Sequence, residues 1–388
     1  MNTRMTIRMD RVQTPMIPVV GEWTSQHPGT ISLGQGVVHY AAPSQVHTEI
    51  ANVATNEPRI DRYALVRGID ELLEQIDRKV ERENGARLDE STSVVTAGSN
   101  MGFMNAVLAI ADVDEEIILL SPYYFNHEMA IDIAGCKPII VSTDDQYQID
   151  LDCLVAAITD RTRAIVTVSP SNPTGVVYSR EALIAVNDLC KQRGIYHISD
   201  EAYEYFLYDG TEHFSPGSLP NASAHTISLY TLSKAYGMAG WRVGYMTIPN
   251  HLLTSVKKIQ DTNLVCPPIM NQFAATKALQ MGRDWCMQQI AEFASVRDIV
   301  VDEFAKLGDR CIVPRPSGAF YALIKLRTDK TDMELVESLI RDFGIAVLPG
   351  CTFGVHDPCS IRIAYGALAK DTVAEGMGRL VRGLTKLL

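Results

Sequence analysis

Short apolar, β-branched runs recur through the middle of the chain, at residues 94–96, 116–120, 138–141, 164–168 and 195–199. Stretches of helix length with amphipathic spacing separate them. A strand that returns to its sheet through a helix lies parallel to the one before it. The rhythm therefore predicts an α/β fold, a mostly parallel sheet sandwiched by helices. Two more runs, 225–230 and 243–248, bring the predicted strands to seven. The segment joining them, 231–242, is scarcely long enough for a parallel crossover, so one of the two is expected to run antiparallel.

Beyond the sheet, residues 261–307 read as long helix broken at Pro267-Pro268. The tail mixes short strands at 319–324, 345–348 and 360–364 with helices, the last of them over 372–388, and is read as a smaller α+β domain. A chain of 388 residues exceeds the roughly 250–300 at which a single core stops growing, which supports two core-bearing regions. The expected partition is an N-terminal arm and segment over 1–45 that packs on the small domain, a large domain over 46–285 and a small C-terminal domain over 286–388.

Charge and composition narrow the function classes. Acidic residues number 46 against 35 basic, a net charge of −11 with no Lys/Arg block, which argues against a nucleic-acid surface. No apolar stretch approaches the roughly 18 residues of a membrane-spanning helix. The start carries Arg4, Arg8 and Arg11 without a following apolar run, so no secretory signal is read and a cytoplasmic location is expected. The eight cysteines, at 136, 153, 190, 266, 286, 311, 351 and 359, fall singly, without CxxC or a histidine at ligand spacing. They read as small apolar side chains, and no metal is expected. His127-Glu128 lacks the second histidine of a zinc helix, and neither a P-loop lysine nor a GxSxG elbow occurs.

In open α/β sheets ligands sit outside the carboxyl ends of the strands, and four turns there carry chemistry. After the first strand comes Thr96-Ala97-Gly98-Ser99-Asn100-Met101, a small-residue turn opening an apolar helix, suited to an anion such as phosphate. After the fourth comes Ser169-Pro170-Ser171-Asn172-Pro173-Thr174-Gly175, where two prolines stiffen the backbone around Asn172. The fifth strand ends in Ser199-Asp200-Glu201-Ala202-Tyr203, leaving a carboxylate at the end of an apolar run, costly unless paired. The fourth turn holds Ser233, Lys234 and Arg242 among Gly, Met, Ala and Trp. Poor solvation there disfavours the charged lysine and keeps its amine nucleophilic, while arginine adds a permanent fork for phosphate. Each turn alone has a plainer reading as a helix cap, a rigid loop or a surface lysine. Together they supply a neutralisable lysine, a carboxylate, an aromatic hydroxyl, an amide and a phosphate cradle, which are the needs of pyridoxal 5'-phosphate.

The sequence resembles the class I/II aminotransferase family of fold-type I pyridoxal-phosphate enzymes. The likeness runs from Ser32-Leu33-Gly34-Gln35-Gly36 to Ser360-Ile361-Arg362-Ile363-Ala364-Tyr365, with the Ser-Lys-x-x-Gly-Met-Ala-Gly-Trp-Arg-x-Gly core as its most specific part. The resemblance implies that Lys234 forms the Schiff base and then acts as the proton-moving base. Asp200 would pair with the pyridine nitrogen, and Asn172 and Tyr203 would bond the ring oxygen. Ser99, Asn100, Ser233 and Arg242 would hold the phosphate, and Tyr124 would stack on the ring. Arg362 would grip the substrate α-carboxylate, with Gly36 and Asn172 beside it. Tyr63 would reach the phosphate of a neighbouring subunit, implying a homodimer with shared sites. Ser317-Gly318-Ala319-Phe320-Tyr321 also matches the family and is expected to pack the small domain.

The expected activity is transfer of an amino group from an L-amino acid to a 2-oxo acid in ping-pong fashion. A lyase on the same cofactor, of the carbon–sulfur or cyclopropane-forming kind, uses the same constellation. A fold-borrowing regulator would normally bring a DNA-binding region. One dicarboxylate-specific branch of the family carries a lysine where this chain has Asn100, and the segment after Gly36 offers Val37, Val38, His39 and Tyr40. Neutral, bulky or aromatic donors are therefore expected. An aspartate-specific enzyme is the alternative, with Arg62 or Arg67 reaching in from the partner.

Overall fold

The computed structural model of the chain describes residues 6–356 and 359–388. Among these, seven strands form the large sheet: β1 (Ser91–Thr96), β2 (Glu116–Ser121), β3 (Lys137–Ser142), β4 (Thr162–Val168), β5 (Tyr196–Asp200), β6 (Thr226–Thr231) and β7 (Gly244–Pro249). They lie in the order β1-β7-β6-β5-β4-β2-β3. As the short connection requires, β7 runs antiparallel to both its neighbours, and the remaining pairs are parallel. Helices cover both faces, so the strands are apolar almost without alternation; Ile117, Ile118 and Leu119 are all buried. Each such side chain contributes roughly 1.5–3 kcal/mol relative to an exposed one. Because β7 is reversed, the carboxyl ends of β1, β2, β4, β5 and β6 meet at one edge.

The smaller, antiparallel sheet contains Cys311–Ile312, Tyr321–Leu326, Leu348–Pro349 and Ser360–Ala364. Helices Asp332–Phe343 and Lys370–Leu387 accompany it, the first opened by a capping box between Thr331 and Glu334 and closed by left-handed Gly344. The single strand expected at 345–348 is divided. Ile345–Ala346 pairs in parallel with Ile31–Ser32, and Leu348–Pro349 pairs with Ser360–Ala364. A wholly buried run carries no alternation that would reveal which neighbour each residue serves. Residues 261–307 likewise resolve into Leu253–Asn263, Ile269–Ile290 and Phe293–Ala305, with a kink at Gly282. The break at the two prolines was legible, whereas the one after Ile290 has no Pro or Gly to announce it.

The N-terminal segment does more than pack on the tail. Helix Met16–Ser25 lies against Asp332–Phe343, while Arg8–Arg11 lies against Phe125–Ala134 of the large sheet's helices, where Gln13 Nε2 donates to Glu128 Oε2. The chain thus straps one sheet region to the other. No helix among the described residues is long and apolar enough to cross a membrane.

Candidate active site

A cavity opens where the strand ends meet. Gly36, Ser99, Asn100, Tyr124, Asn172, Asp200, Tyr203, Ser233, Lys234, Arg242 and Arg362 all line it. Of the residues singled out in the sequence, Tyr63 stands outside, with 85% of its surface exposed.

Lys234 sits on the tight turn after β6, pinned by Ser233 N–H donating to Thr231 Oγ1 at 3.1 Å and by the Tyr40 hydroxyl donating to Ala235 O at 3.0 Å. Its Nζ donates to Gly36 O at 2.5 Å and lies 5.6 Å from the centre of the Tyr203 ring. Burial, and after it the charge of Arg362, pull the amine from its ordinary 10.5 down to about 8, against the attraction of Asp200. A Cβ at Gly36 would run into the Tyr321 hydroxyl, so only glycine leaves that carbonyl beside the lysine.

Asp200 ends β5 with 4% of its surface exposed. Its oxygens are held by Ala202 N–H at 3.1 Å on Oδ1 and His127 Nε2 at 3.1 Å on Oδ2. His127 stacks on Phe103 with ring centres 4.0 Å apart, which fixes the imidazole plane. Its Nδ1 is buried without a partner among the described residues. Tyr203, whose phenol is raised well above its usual range by burial, shares a 2.8 Å hydrogen bond with the Tyr321 hydroxyl.

Helix Ser99–Ile110 begins at Gly98 in a left-handed conformation (φ +81°) with no side-chain cap, leaving its first N–H groups bare toward the cavity. Arg242 reaches the same place: Nη1 lies 3.5 Å from Ser233 Oγ, Nη2 lies 3.4 Å from Ala97 O, and a Cβ at Gly98 would collide with the guanidinium. Bare N–H donors, two hydroxyls and a guanidinium converge without a carboxylate, which is the donor set a phosphate needs.

Arg362 lies on Ser360–Ala364 with 1% exposed. Nη1 donates to Asn172 Oδ1 at 3.0 Å and Nη2 to Gly34 O at 2.5 Å, while the Tyr321 and Phe353 rings lie 4.7 and 4.8 Å from its Cζ. Nε has no partner among the described residues, and burial lowers the guanidinium's pKa. A buried cation whose hydrogen-bond acceptors among the described residues are neutral, with the Lys234 amine nearby, is costly until an anion arrives.

Some residues were not legible as site residues. Tyr321, read from the sequence as packing of the small domain, faces the cavity; His127 backs Asp200; Ile17 and Asn126 line the wall. Of the segment after Gly36, Val37 lines the cavity. Against expectation, neither aromatic ring lines the cavity: Tyr40 packs on Trp285 at the margin of the core, and His39 stacks on Phe293 while remaining exposed. A histidine three residues beyond Tyr124 at a strand's carboxyl end was the available signal for His127.

The family model for class I and II aminotransferases matches residues 28–380. An aromatic aminotransferase of Arabidopsis thaliana is 31% identical over 100% of this chain and 97% of its own. An aspartate aminotransferase of Pyrococcus abyssi is 30% identical over 98% of each. The crystal structure of an aromatic aminotransferase from Pyrococcus horikoshii superimposes with a TM-score of 0.87 at 31% identity, covering 95% of this chain and 100% of that one. The chain belongs to the class I and II aminotransferases and is a pyridoxal-phosphate-dependent enzyme of fold type I.

Proposed function

We propose that this aminotransferase draws its amino group from neutral, bulky or aromatic L-amino acids and passes it to a 2-oxo acid. The observation that carries the reading is a charge count: the cavity lining holds three cations, Lys234, Arg242 and Arg362, and one carboxylate, Asp200. Each cation has a task in holding the cofactor or the substrate α-carboxylate. No lining cation among the described residues is left for a second carboxylate, whose burial unpaired is expensive. Ile17 and Val37 offer apolar surface instead.

When bound, pyridoxal phosphate supplies a carbonyl carbon that takes up the donor's amino group and a ring that withdraws electrons from the donor's α-carbon. The helix start at Ser99, with Asn100, Ser233 and Arg242, would hold the phosphate. Tyr124 would lie against the ring and Asp200 would meet its nitrogen, steadied from behind by His127. Asn172 has given Oδ1 to Arg362, so Nδ2 is its remaining donor for the ring oxygen, beside the Tyr203 hydroxyl. Arg362 would bind the donor's α-carboxylate as a fork, with Gly36 leaving room. Lys234 Nζ would take the proton from the α-carbon, the work for which a depressed pKa suits it.

The donor profile tests this reading. Steady-state kcat/KM should be higher for neutral donors, tested over methionine, glutamine, phenylalanine and kynurenine-like amines, than for aspartate. Aspartate exceeding every neutral donor by about tenfold or more would overturn it.

Tyr63 has a task only in an assembly. It stands bare beside Leu65, which is 67% exposed, and two large side chains open to water on one short segment fit a surface that a partner covers. Tyr63 is assigned to the phosphate of the neighbouring subunit in a homodimer. Light scattering should return twice the chain mass of 42.8 kDa; a fully active monomer contradicts the assignment.

A further inference from the structure

Asn126 has no role in the chemistry above. It stands at the start of helix Phe125–Ala134, just past the carboxyl end of β2, and lines the cavity. Its Nδ2 donates to the Tyr124 hydroxyl at 2.8 Å, and that hydroxyl donates to Asn100 Oδ1 at 3.4 Å. The bonding order sets the amide's orientation. A phenol has one proton, and Tyr124 gives it to Asn100, so toward Asn126 it can only accept. The amide NH2 is thereby turned to Tyr124, and the carbonyl Oδ1 is left without a hydrogen-bond partner among the described residues.

We infer that Asn126 is a specificity-determining residue, its Oδ1 accepting a hydrogen bond from the side chain of the bound amino donor. The inference rests on the neutral-donor reading and narrows it to side chains ending in an N–H or O–H: a phenol, an indole or a carboxamide. A carbonyl oxygen repels a carboxylate, which agrees with the absence of a spare cation in the lining among the described residues. Ile17 and Val37 supply the apolar surface along which such a side chain would lie. A hydrocarbon or thioether of similar size would strip water from Oδ1 and return nothing, leaving a covered acceptor unsatisfied. Sites built to bond a substrate hydroxyl or amine reject the analogue lacking it far more strongly than apolar pockets reject a methylene.

Two ratios of kcat/KM test the inference in the holoenzyme: tyrosine over phenylalanine, and glutamine over methionine. Both should be about tenfold or more in the natural enzyme and should fall to within about twofold of unity in Asn126→Leu. A binding measurement covers the case in which the variant does not fold. By calorimetry on the natural holoenzyme, 3-(4-hydroxyphenyl)propionate should bind more tightly than 3-phenylpropionate. Ratios near unity in the natural enzyme, ratios that survive Asn126→Leu, or equal binding of the two propionates would each overturn the inference. Aspartate outpacing all neutral donors would instead overturn the reading beneath it, so the two failures are distinguishable.

Discussion

Lys234→Ala is expected to bind pyridoxal phosphate without attaching to it, and to lose at least about four orders of magnitude in turnover. Binding should survive because the bare helix start at Ser99, Ser233 and the Arg242 guanidinium do not depend on the lysine. Turnover should not, because one amine is assigned both the covalent and the proton-moving work. Borohydride reduction followed by mass measurement separates the two effects: the natural protein should be fixed to the cofactor and the variant should not. The pH dependence follows from the environment of the amine. An amine is nucleophilic only when neutral, and burial with the nearby Arg362 charge brings the Lys234 pKa from 10.5 to about 8. Covalent capture of added pyridoxal phosphate by the cofactor-free protein should therefore rise with pH through a midpoint near that value. It should already be complete where an ordinary lysine would still be charged. A borohydride-stable adduct in Lys234→Ala would remove the assignment.

Much of this was legible because a parallel sheet leaves a periodic trace. Each buried strand of the large sheet is a short apolar run, and each turn at its carboxyl end must carry polar residues. Lys234, Asp200, Asn172 and Arg242 lie within such turns, so local sequence exposed them. Arg362 was legible only through resemblance, since nothing local sets an arginine in a short apolar strand apart from a surface cation at an edge. Tyr321 escaped for a related reason: its contact with Tyr203 spans 118 residues, and no pattern around it announces a cavity. Ile17 reaches the wall because the N-terminal segment crosses between the two sheet regions, a matter of tertiary path alone. The segment after Gly36 failed differently. Its residue types are readable from sequence but the direction of each ring is not: Tyr40 turns onto Trp285 at the margin of the core, and His39 lies exposed against Phe293.

Asp200→Asn is expected to lower kcat by at least about a hundredfold while leaving the fold intact, because the exchange changes charge and hardly changes size. Asn can still accept from Ala202 N–H through Oδ1, so the turn that carries Tyr203 keeps its anchor. What changes is the second position, where the amide presents NH2 to His127 Nε2 and to the ring nitrogen. His127 can adapt by carrying its proton on Nδ1, whose surroundings hold no competing partner among the described residues. The ring nitrogen cannot, because a neutral donor opposite it disfavours the protonated ring that withdraws electrons from the α-carbon. The defect should thus lie in chemistry more than in donor binding, with kcat falling much further than KM rises. Removing the second support gives a graded comparison: His127→Leu leaves Asp200 its charge and one donor, and should cost only about tenfold, short of the loss in Asp200→Asn. Near-normal turnover in Asp200→Asn would assign the pyridine nitrogen to another residue. Equal losses in the two variants would mean that the position of the carboxylate, rather than its charge, is what this cavity supplies.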